Sequence, residues 1–198
     1  MTMSGQQGSA DAARRAMIDS QLRTSGVNEP WVLAAMARLP REDYLPDAAK
    51  AAAYTDRSVE LGGGRFLAAP LVHGKMLSEA APVATDKALL VGDGQGYLAA
   101  LLRPLVGSLD CVEPVEAAAK GKKGAYSLIV IDGAIEQLPD ALAASLADDG
   151  RLVTGLVERG ITRLAAGRKA GGDVALLALA ELGIPVLPQF AAAKDWSF

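Results

Sequence analysis

The sequence is poor in the residues that build disulfide frameworks and metal centres. It contains one cysteine, Cys111, and one histidine, His73. A single cysteine excludes an internal disulfide framework and any cysteine-rich zinc site. A single histidine leaves too few ligands for a histidine-based metal centre, so we expect no metal site.

Basic blocks and long apolar runs are also missing. The net charge is −3, which argues against a large nucleic-acid-binding surface. No apolar run approaches the roughly 18 residues of a membrane span, and the first residues do not have the pattern of a signal peptide. These features favour a cytoplasmic protein that contacts neither nucleic acid nor membrane.

The composition is typical of a compact α/β domain. The chain has 198 residues, of which 51% are hydrophobic. That is enough to bury a sizeable core in one unit and argues against general disorder. The polar segment 1–10, rich in glycine, serine and glutamine, is predicted to be a disordered lead, and a helix is predicted from Asp11 onward.

The most informative motif is a glycine-rich turn, Gly92-Asp93-Gly94-Gln95-Gly96, between an apolar run and the helix-like segment that starts at Tyr97. Glycines allow a tight turn and a close approach of the backbone to a ligand. A second apolar run ends at Glu113, where a carboxylate can bind ribose hydroxyls. This combination predicts a nucleoside-cofactor site. The plainer alternative is a tight strand–helix turn beside a solvated strand end.

Strand-like and helix-like segments alternate after Lys87, which predicts a mainly parallel sheet with its ligand at the carboxyl ends of the strands. Asp132 ends one predicted strand and is either a ligand-facing residue or a turn residue. His73, in a helix predicted over Pro70–Glu79, is expected to pack or face solvent rather than to act chemically. The predicted strands are Ala88–Val91, Leu109–Val112, Ser127–Ile131 and Arg151–Leu156, followed by an antiparallel pair, Val174–Leu177 and Ile184–Leu187.

The order of motifs along the whole chain resembles protein-L-isoaspartate O-methyltransferases. The opening segment 17–56, the glycine turn with Tyr97, and the segments 126–134 and 138–153 follow the family's order. The ending, 185–198, looks like a divergent proteobacterial branch. The resemblance implies a Rossmann-like class I methyltransferase fold over residues 81–198, preceded by a helical, substrate-loop extension over 11–80, the two forming one compact unit.

The resemblance also implies a chemistry. Family members transfer a methyl group from S-adenosylmethionine to the carboxylate of L-isoaspartyl residues in damaged proteins, so isoaspartyl proteins or peptides are the expected partners. Trp196 and Phe198 either dock the carboxyl terminus or form an interface, which makes a homodimer an alternative. The cofactor-binding residues implied are Gly92, Asp93, Gly94, Gly96, Tyr97, Glu113 and Asp132.

Three departures from the family pattern affect the expected site. The family's substrate-loop serine corresponds to Ala68, which lacks a hydroxyl, so no catalytic residue is assigned; the loop candidates are Arg65, Leu67, Ala68 and Pro70. The acidic residue that the family carries before the glycine turn corresponds to Leu90. Only residues 115–126 separate Pro114 from the next strand, which is too short for a further strand and predicts a sheet with a reduced edge. The alternative function is a non-catalytic nucleoside-binding or protein-interaction module.

Overall fold

The computed structural model describes residues 3–118 and 123–192 of the chain. The first helix, α1, covers Met3–Met17 and continues through a π-helical turn, Ile18–Leu22, into a 3₁₀ turn, Arg23–Ser25. Residues 3–10, predicted to be a disordered lead, belong to this helix in the structure. Once a helix is nucleated, each added residue forms a further backbone hydrogen bond, so polar residues can extend it.

Short helical elements and a hairpin fill the rest of the amino-terminal part. Helix α2 covers Pro30–Arg38, and 3₁₀ turns cover Arg41–Tyr44 and Asp47–Ala52. Strands β1, Val59–Gly62, and β2, Arg65–Leu67, form an antiparallel hairpin. Helix α3 follows over Pro70–Ala80, close to its predicted range.

A six-stranded sheet forms the centre of the molecule. Its strands are β3, Lys87–Val91; β4, Ser108–Val112; β5, Tyr126–Ile135; β6, Leu146–Glu158; β7, Ile161–Ala170; and β8, Asp173–Glu181. The strand order is β4-β3-β5-β6-β7-β8, and the pairs β4–β3, β3–β5 and β5–β6 are parallel. Helices α4, α5 and α6 connect the parallel strands at Tyr97–Leu102, Pro114–Ala117 and Asp140–Ser145.

The carboxyl-terminal half of the sheet is antiparallel, so the sheet is mixed rather than mainly parallel. β6, β7 and β8 form a meander whose loops are Arg159-Gly160 and Gly171-Gly172, each with positive φ at both residues. Two-residue loops of this conformation match the twist of a hairpin. Residues Val174–Leu177 lie in β8 and pair with β7. The predicted antiparallel pairing of Val174–Leu177 with Ile184–Leu187 is therefore wrong. The predicted strand Ile184–Leu187 is limited to one bridge, between Val186 and Ala134.

β4 is at one edge of the sheet. Of the described residues between Val112 and Tyr126, none belongs to a strand. This agrees with the expectation that the short connection after Pro114 leaves no room for an additional strand.

The sheet separates two hydrophobic clusters, as expected for strands that are buried on both faces. Alternate side chains of β3 and β5 point to opposite sides: Leu90 and Val130 join the cluster with α3 and α4, whereas Val91 and Ile131 join the cluster with Phe190. The first cluster also contains side chains from α1 and α2, so the amino-terminal helices share a core with the sheet.

Candidate functional site

A cleft of about 240 Å³ lies at the carboxyl ends of β3, β4 and β5. Its floor contains Gly92 and Asp93 after β3, Glu113 after β4, and Asp132 on β5. The β1–β2 hairpin forms one wall, and the segment that follows β8 forms another. The residues that line the cleft are Leu61, Gly63, Gly64, Arg65, Phe66, Gly92, Asp93, Glu113, Pro114, Asp132, Pro185, Val186, Leu187 and Gln189.

Gly92 brings the end of β3 close to β5. Its φ is +156°, a conformation that residues with a side chain rarely adopt, and a Cβ built there would lie 3.0 Å from the Cβ of Asp132. Its N–H donates to the carbonyl of Val112 at 2.9 Å, which ties the turn to β4. Glycine is therefore required at this position if the cleft is to keep its floor.

A bulge in β5 places Asp132 in the cleft. The pairing of β5 with β6 is regular from Leu128 to Val130 and resumes at Ala134, with a register shift between Val130 and Ala134. Bulges of this kind redirect side chains and are frequent beside active sites. The hydroxyl of Thr154 donates to the carbonyl of Gly133 at 3.1 Å, so the irregular backbone is hydrogen-bonded.

The cleft is acidic. Three carboxylates, Asp93, Glu113 and Asp132, line it together with one guanidinium, Arg65. The side chain of Asp93 is held within the glycine turn, because its Oδ1 accepts from the N–H of Gln95 at 2.8 Å. Its Oδ2 lies 3.4 Å from Nη1 of Arg65. This contact links the β1–β2 hairpin to the turn across the mouth of the cleft.

Asp132 is held from behind by a buried chain of polar side chains. Nε2 of His73 lies 3.1 Å from Oδ1 of Asp132, and Nη1 of Arg41 lies 3.2 Å from Nδ1 of His73. A guanidinium has no acceptor, so Nδ1 of His73 must be the acceptor and Nε2–H the donor. This assigns a neutral imidazole with its proton on Nε2, aimed at Asp132.

Arg41 is fully buried but well supplied with acceptors. Its Nε donates to the carbonyl of Ala53 at 2.9 Å and its Nη2 to that of Ala68 at 2.7 Å. The guanidinium stacks 4.7 Å from the ring centre of Tyr97. Burial lowers the pKa of Arg41, and the nearby Asp132 carboxylate acts in the opposite direction. The charge of Arg41 thus fixes the tautomer of the only histidine in the sequence.

The structure divides the predicted cofactor residues into two groups. Gly92, Asp93, Glu113 and Asp132 line the cleft, whereas the other three do not. A Cβ on Gly94 would meet the side chain of Cys111 at 2.9 Å, and one on Gly96 would meet the backbone of Asp93 at 3.1 Å, so both glycines serve the shape of the turn. Tyr97 is buried under Arg41, and burial raises the pKa of its hydroxyl.

The predicted substrate-loop residues are divided in the same way. Arg65 lines the cleft, but the side chains of Leu67, Ala68 and Pro70 are buried in the core. Ala68 is buried, and its carbonyl accepts a hydrogen bond from Nη2 of Arg41. Trp196 and Phe198 lie outside the described residues.

Sequence reasoning missed three parts of the site. His73 and Arg41 have no sequence signal that pairs them with Asp132, because the three residues come from distant segments. The carboxyl-terminal wall could have been found from the proline-flanked segment Pro185-Val186-Leu187-Pro188, since prolines disfavour a central strand. Leu187 of this segment packs against Gly133, and a Cβ on Gly133 would lie only 2.5 Å from Cγ of Leu187.

The part of the chain that the structure describes contains neither a metal-binding cluster nor a membrane-spanning helix. Within residues 3–118 and 123–192, no three histidine, cysteine, aspartate or glutamate side chains form a group that could hold a metal ion. Of the helices in these ranges, none combines the length and hydrophobicity needed to cross a membrane.

The structure is an α/β fold with a cleft at the carboxyl ends of parallel strands, the usual ligand position in such sheets. The chain belongs to the protein-L-isoaspartate(D-aspartate) O-methyltransferase family, whose model matches residues 12–123. The family prediction made from the sequence is thereby confirmed.

Relatives from bacteria and archaea support the assignment. A protein-L-isoaspartate O-methyltransferase from Methanoregula boonei is 31% identical, over 71% of this chain and 76% of that protein. Protein-L-isoaspartate O-methyltransferase 1 from Rhodopseudomonas palustris is 30% identical, over 72% of this chain and 68% of that protein.

A solved structure shows the same fold. It is described as a protein-L-isoaspartate O-methyltransferase from Plasmodium falciparum in complex with S-adenosyl-L-homocysteine, and it superposes with a TM-score of 0.69 over 89% of this chain and 98% of that chain. The sequence identity is 18%, so this likeness establishes the fold alone.

Proposed function

We propose that this protein transfers a methyl group from S-adenosylmethionine to the free carboxylate of L-isoaspartyl residues in damaged proteins. The observation that carries the proposal, beside family membership, is that the glycine turn, Glu113 and Arg65 surround one cleft. The turn and Glu113 suit a nucleoside cofactor, and the guanidinium of Arg65 suits an acceptor carboxylate. This role agrees with a location in the cytoplasm.

The residues of the cleft fit the cofactor in kind. Glu113 offers a carboxylate for ribose hydroxyls, and the bare backbone at Gly92 allows close contact. The acidic lining suits a ligand that carries cationic groups. The cleft volume of about 240 Å³ is below the range of roughly 300–1,000 Å³ for pockets that enclose drug-sized ligands. An open cleft that leaves part of its ligand in solvent would have this size.

When bound, S-adenosylmethionine supplies a methyl group on a sulfonium, and an acceptor oxygen displaces a neutral thioether. An isoaspartyl carboxylate is already ionised near neutral pH, so it needs no general base. The protein then contributes orientation, since holding the two reacting groups in line removes most of the entropic barrier. This explains how the site can function with alanine at position 68.

Arg65 is the residue that we assign to orientation of the acceptor. Its side chain is 58% exposed and its only ionic partner among the described residues is Asp93, at 3.4 Å. A guanidinium can bind a carboxylate through two parallel hydrogen bonds, which fixes both position and orientation. Arg65 can therefore leave Asp93 for the acceptor without breaking a buried contact.

The two halves of the chain divide the work in this proposal. Residues 81–198 provide the cofactor side of the cleft, and residues 11–80 provide the hairpin that faces the acceptor. Phe66 at the hairpin is 43% exposed and lines the cleft, where it can cover a bound acceptor and exclude water.

A homodimer is a further part of the proposal. β8 is the last strand of the sheet, and Leu177 and Leu179 are exposed on it. If β8 paired with β8 of a second copy, the free backbone N–H and C=O groups of both edge strands would be hydrogen-bonded across one two-fold interface. Sedimentation velocity of the wild type and of Leu177→Lys tests this, because a dimer should dissociate in the variant and a monomeric wild type would refute it.

Methyl transfer is tested with labelled S-adenosylmethionine and two peptides that differ only in having isoaspartate or aspartate at one position. We expect label in the isoaspartyl peptide, released as methanol in mild base because the product is an ester. Label in neither peptide would contradict the proposal. Cofactor binding without transfer would then favour the second candidate, a nucleoside-binding module, for which the burial of Leu90 and Ala68 is the supporting observation.

A further inference from the structure

The three carboxylates of the cleft differ in how far their hydrogen-bonding capacity is already used. Asp93 is bound by Gln95 and Arg65, and Glu113 stands at the end of β4, where ribose hydroxyls are expected. Oδ1 of Asp132 accepts from His73, but its Oδ2 receives no hydrogen bond from the described residues. Asp132 therefore has one oxygen oriented by the protein and one available to a ligand.

Strand β3, which leads into the glycine turn, carries no acidic residue of its own. Leu90, two residues before Gly92 on β3, is fully buried and contributes nothing to the cleft. The parallel register pairs Val91 with Ile131, so the next residue on each strand, Gly92 and Asp132, are neighbours. The carboxylate of Asp132 on β5 thus lies beside the glycine turn, at the end of a strand, β3, that holds no carboxylate.

The support behind Asp132 is unusual for a solvent-accessible carboxylate. His73 has no exposed surface and Arg41 has none, whereas 20% of the Asp132 side chain is exposed. Two buried polar side chains that serve only packing would be costly, since each must have its hydrogen bonds satisfied. Here the chain of contacts ends at an oxygen in the cleft.

We propose that His73 and Arg41 are positioning residues that hold Asp132 as the acceptor for the cationic amino-acid end of S-adenosylmethionine. The inference rests on the cofactor of the proposed function and deepens it by assigning a subsite. Arg41 fixes the Nε2–H tautomer of His73, and that N–H fixes the plane of the Asp132 carboxylate. The free oxygen is then directed at the space over Gly92, where the α-ammonium group would be bound.

Two nucleosides separate this subsite from the rest of the cleft. S-adenosylhomocysteine carries the amino-acid end, and 5′-methylthioadenosine has the same nucleoside and thioether without it. For Asp132→Asn, which keeps an oxygen for His73 but removes the charge, we expect calorimetry to show a loss of about 10- to 100-fold in affinity for S-adenosylhomocysteine. Affinity for 5′-methylthioadenosine should stay within about threefold.

His73 is tested with a disruptive variant and a conservative one. His73→Phe removes both hydrogen bonds of the imidazole. It should lower the affinity for S-adenosylhomocysteine by about tenfold and should change the affinity for 5′-methylthioadenosine by less than about threefold. His73→Gln keeps an N–H donor for Asp132 and should restore most of the lost affinity. If His73 had a purely structural role, His73→Phe would lower the affinity for both nucleosides alike, and His73→Gln would not restore it.

The outcomes separate this inference from the proposed function. Equal losses for the two nucleosides in Asp132→Asn, or no loss for either, would overturn the inference even if His73→Phe fails to fold. Selective loss together with absent methyl transfer would support the inference and overturn the proposed reaction. A wild type that binds neither nucleoside would overturn both.

Discussion

Two arginines near the cleft differ in burial and in the number of their hydrogen bonds: Arg41 lies behind His73 and Asp132, and Arg65 lines the cleft. Arg41 is fully buried and each of its three donor nitrogens meets a protein acceptor, whereas Arg65 is 58% exposed and has one long contact with Asp93. A buried cation stabilises the fold only while all its partners remain, and an exposed one contributes little to stability. Arg41 therefore supports the buried side chains behind Asp132, whereas Arg65 can leave Asp93 without breaking a buried contact.

The largest expected effect comes from removing Arg41. Arg41→Met leaves the carbonyls of Ala53 and Ala68 and Nδ1 of His73 buried without a donor, so the free energy of unfolding should fall by about 3 kcal/mol or more. Urea denaturation measures this. Arg38→Met, which alters an exposed arginine of α2, is the control and should change stability by less than about 0.5 kcal/mol. Equal midpoints for the two variants would contradict the distinction between buried and exposed arginines.

A third arginine, Arg151, is intermediate in burial between Arg41 and Arg65, and its contact with Asp86 makes the stability of the fold depend on pH. Asp86 is buried and accepts hydrogen bonds from Val83 N at 2.8 Å, Ser127 Oγ at 2.7 Å and Arg151 Nη2 at 2.6 Å. Burial alone would raise the pKa of Asp86, but these hydrogen bonds outweigh it and lower the pKa. The stabilisation is therefore complete above the unfolded-state pKa of about 4 and is lost as the pH falls through the folded-state pKa.

Asp86→Asn should lower the free energy of unfolding at pH 7 by about 2 kcal/mol and should flatten its decline in acid. Denaturation at several pH values between neutral and strongly acidic measures both effects. The matched control is Asp148→Asn, at an exposed position. If the variant and the wild type lose stability in parallel as the pH falls, Asp86 is not the group that titrates.

The smallest effect on stability is expected for Arg65. Arg65→Ala should change the free energy of unfolding by less than about 0.5 kcal/mol, because its ion pair is exposed. It should nevertheless raise KM for an isoaspartyl peptide by about tenfold, since the acceptor carboxylate loses a bidentate partner. Arg57→Ala, another exposed arginine of the same region, should change neither quantity. An unchanged KM in Arg65→Ala would remove Arg65 from the site.

The parallel strand ends were predictable because local patterns determine them. Apolar runs followed by Gly92, Glu113 and Asp132 predicted that these residues meet at one edge of a sheet, and the structure places all three in one cleft. These features depend on residues that are close in sequence and on the general geometry of parallel strands.

Other features depend on contacts between distant residues, which a single sequence does not specify. The partners of His73 come from the 3₁₀ turn at Arg41 and from the bulge at Asp132, so a lone histidine on a helix carried no sign of them. The antiparallel meander had a local signal, the two-residue loops Arg159-Gly160 and Gly171-Gly172, that the comparison with parallel α/β folds obscured. The helical extension of α1 over residues 3–10 runs against their composition.

The most direct test of the account is a calorimetric titration with S-adenosylhomocysteine, performed on the wild type, on Glu113→Gln and on Glu116→Gln. Glu113 lines the cleft, whereas Glu116 is an exposed residue of α5 that does not. The account predicts saturable binding with one site per chain, about tenfold weaker in Glu113→Gln and unchanged in Glu116→Gln. Absence of binding to the wild type, or equal losses in the two variants, would contradict the assignment of the cleft as a cofactor site.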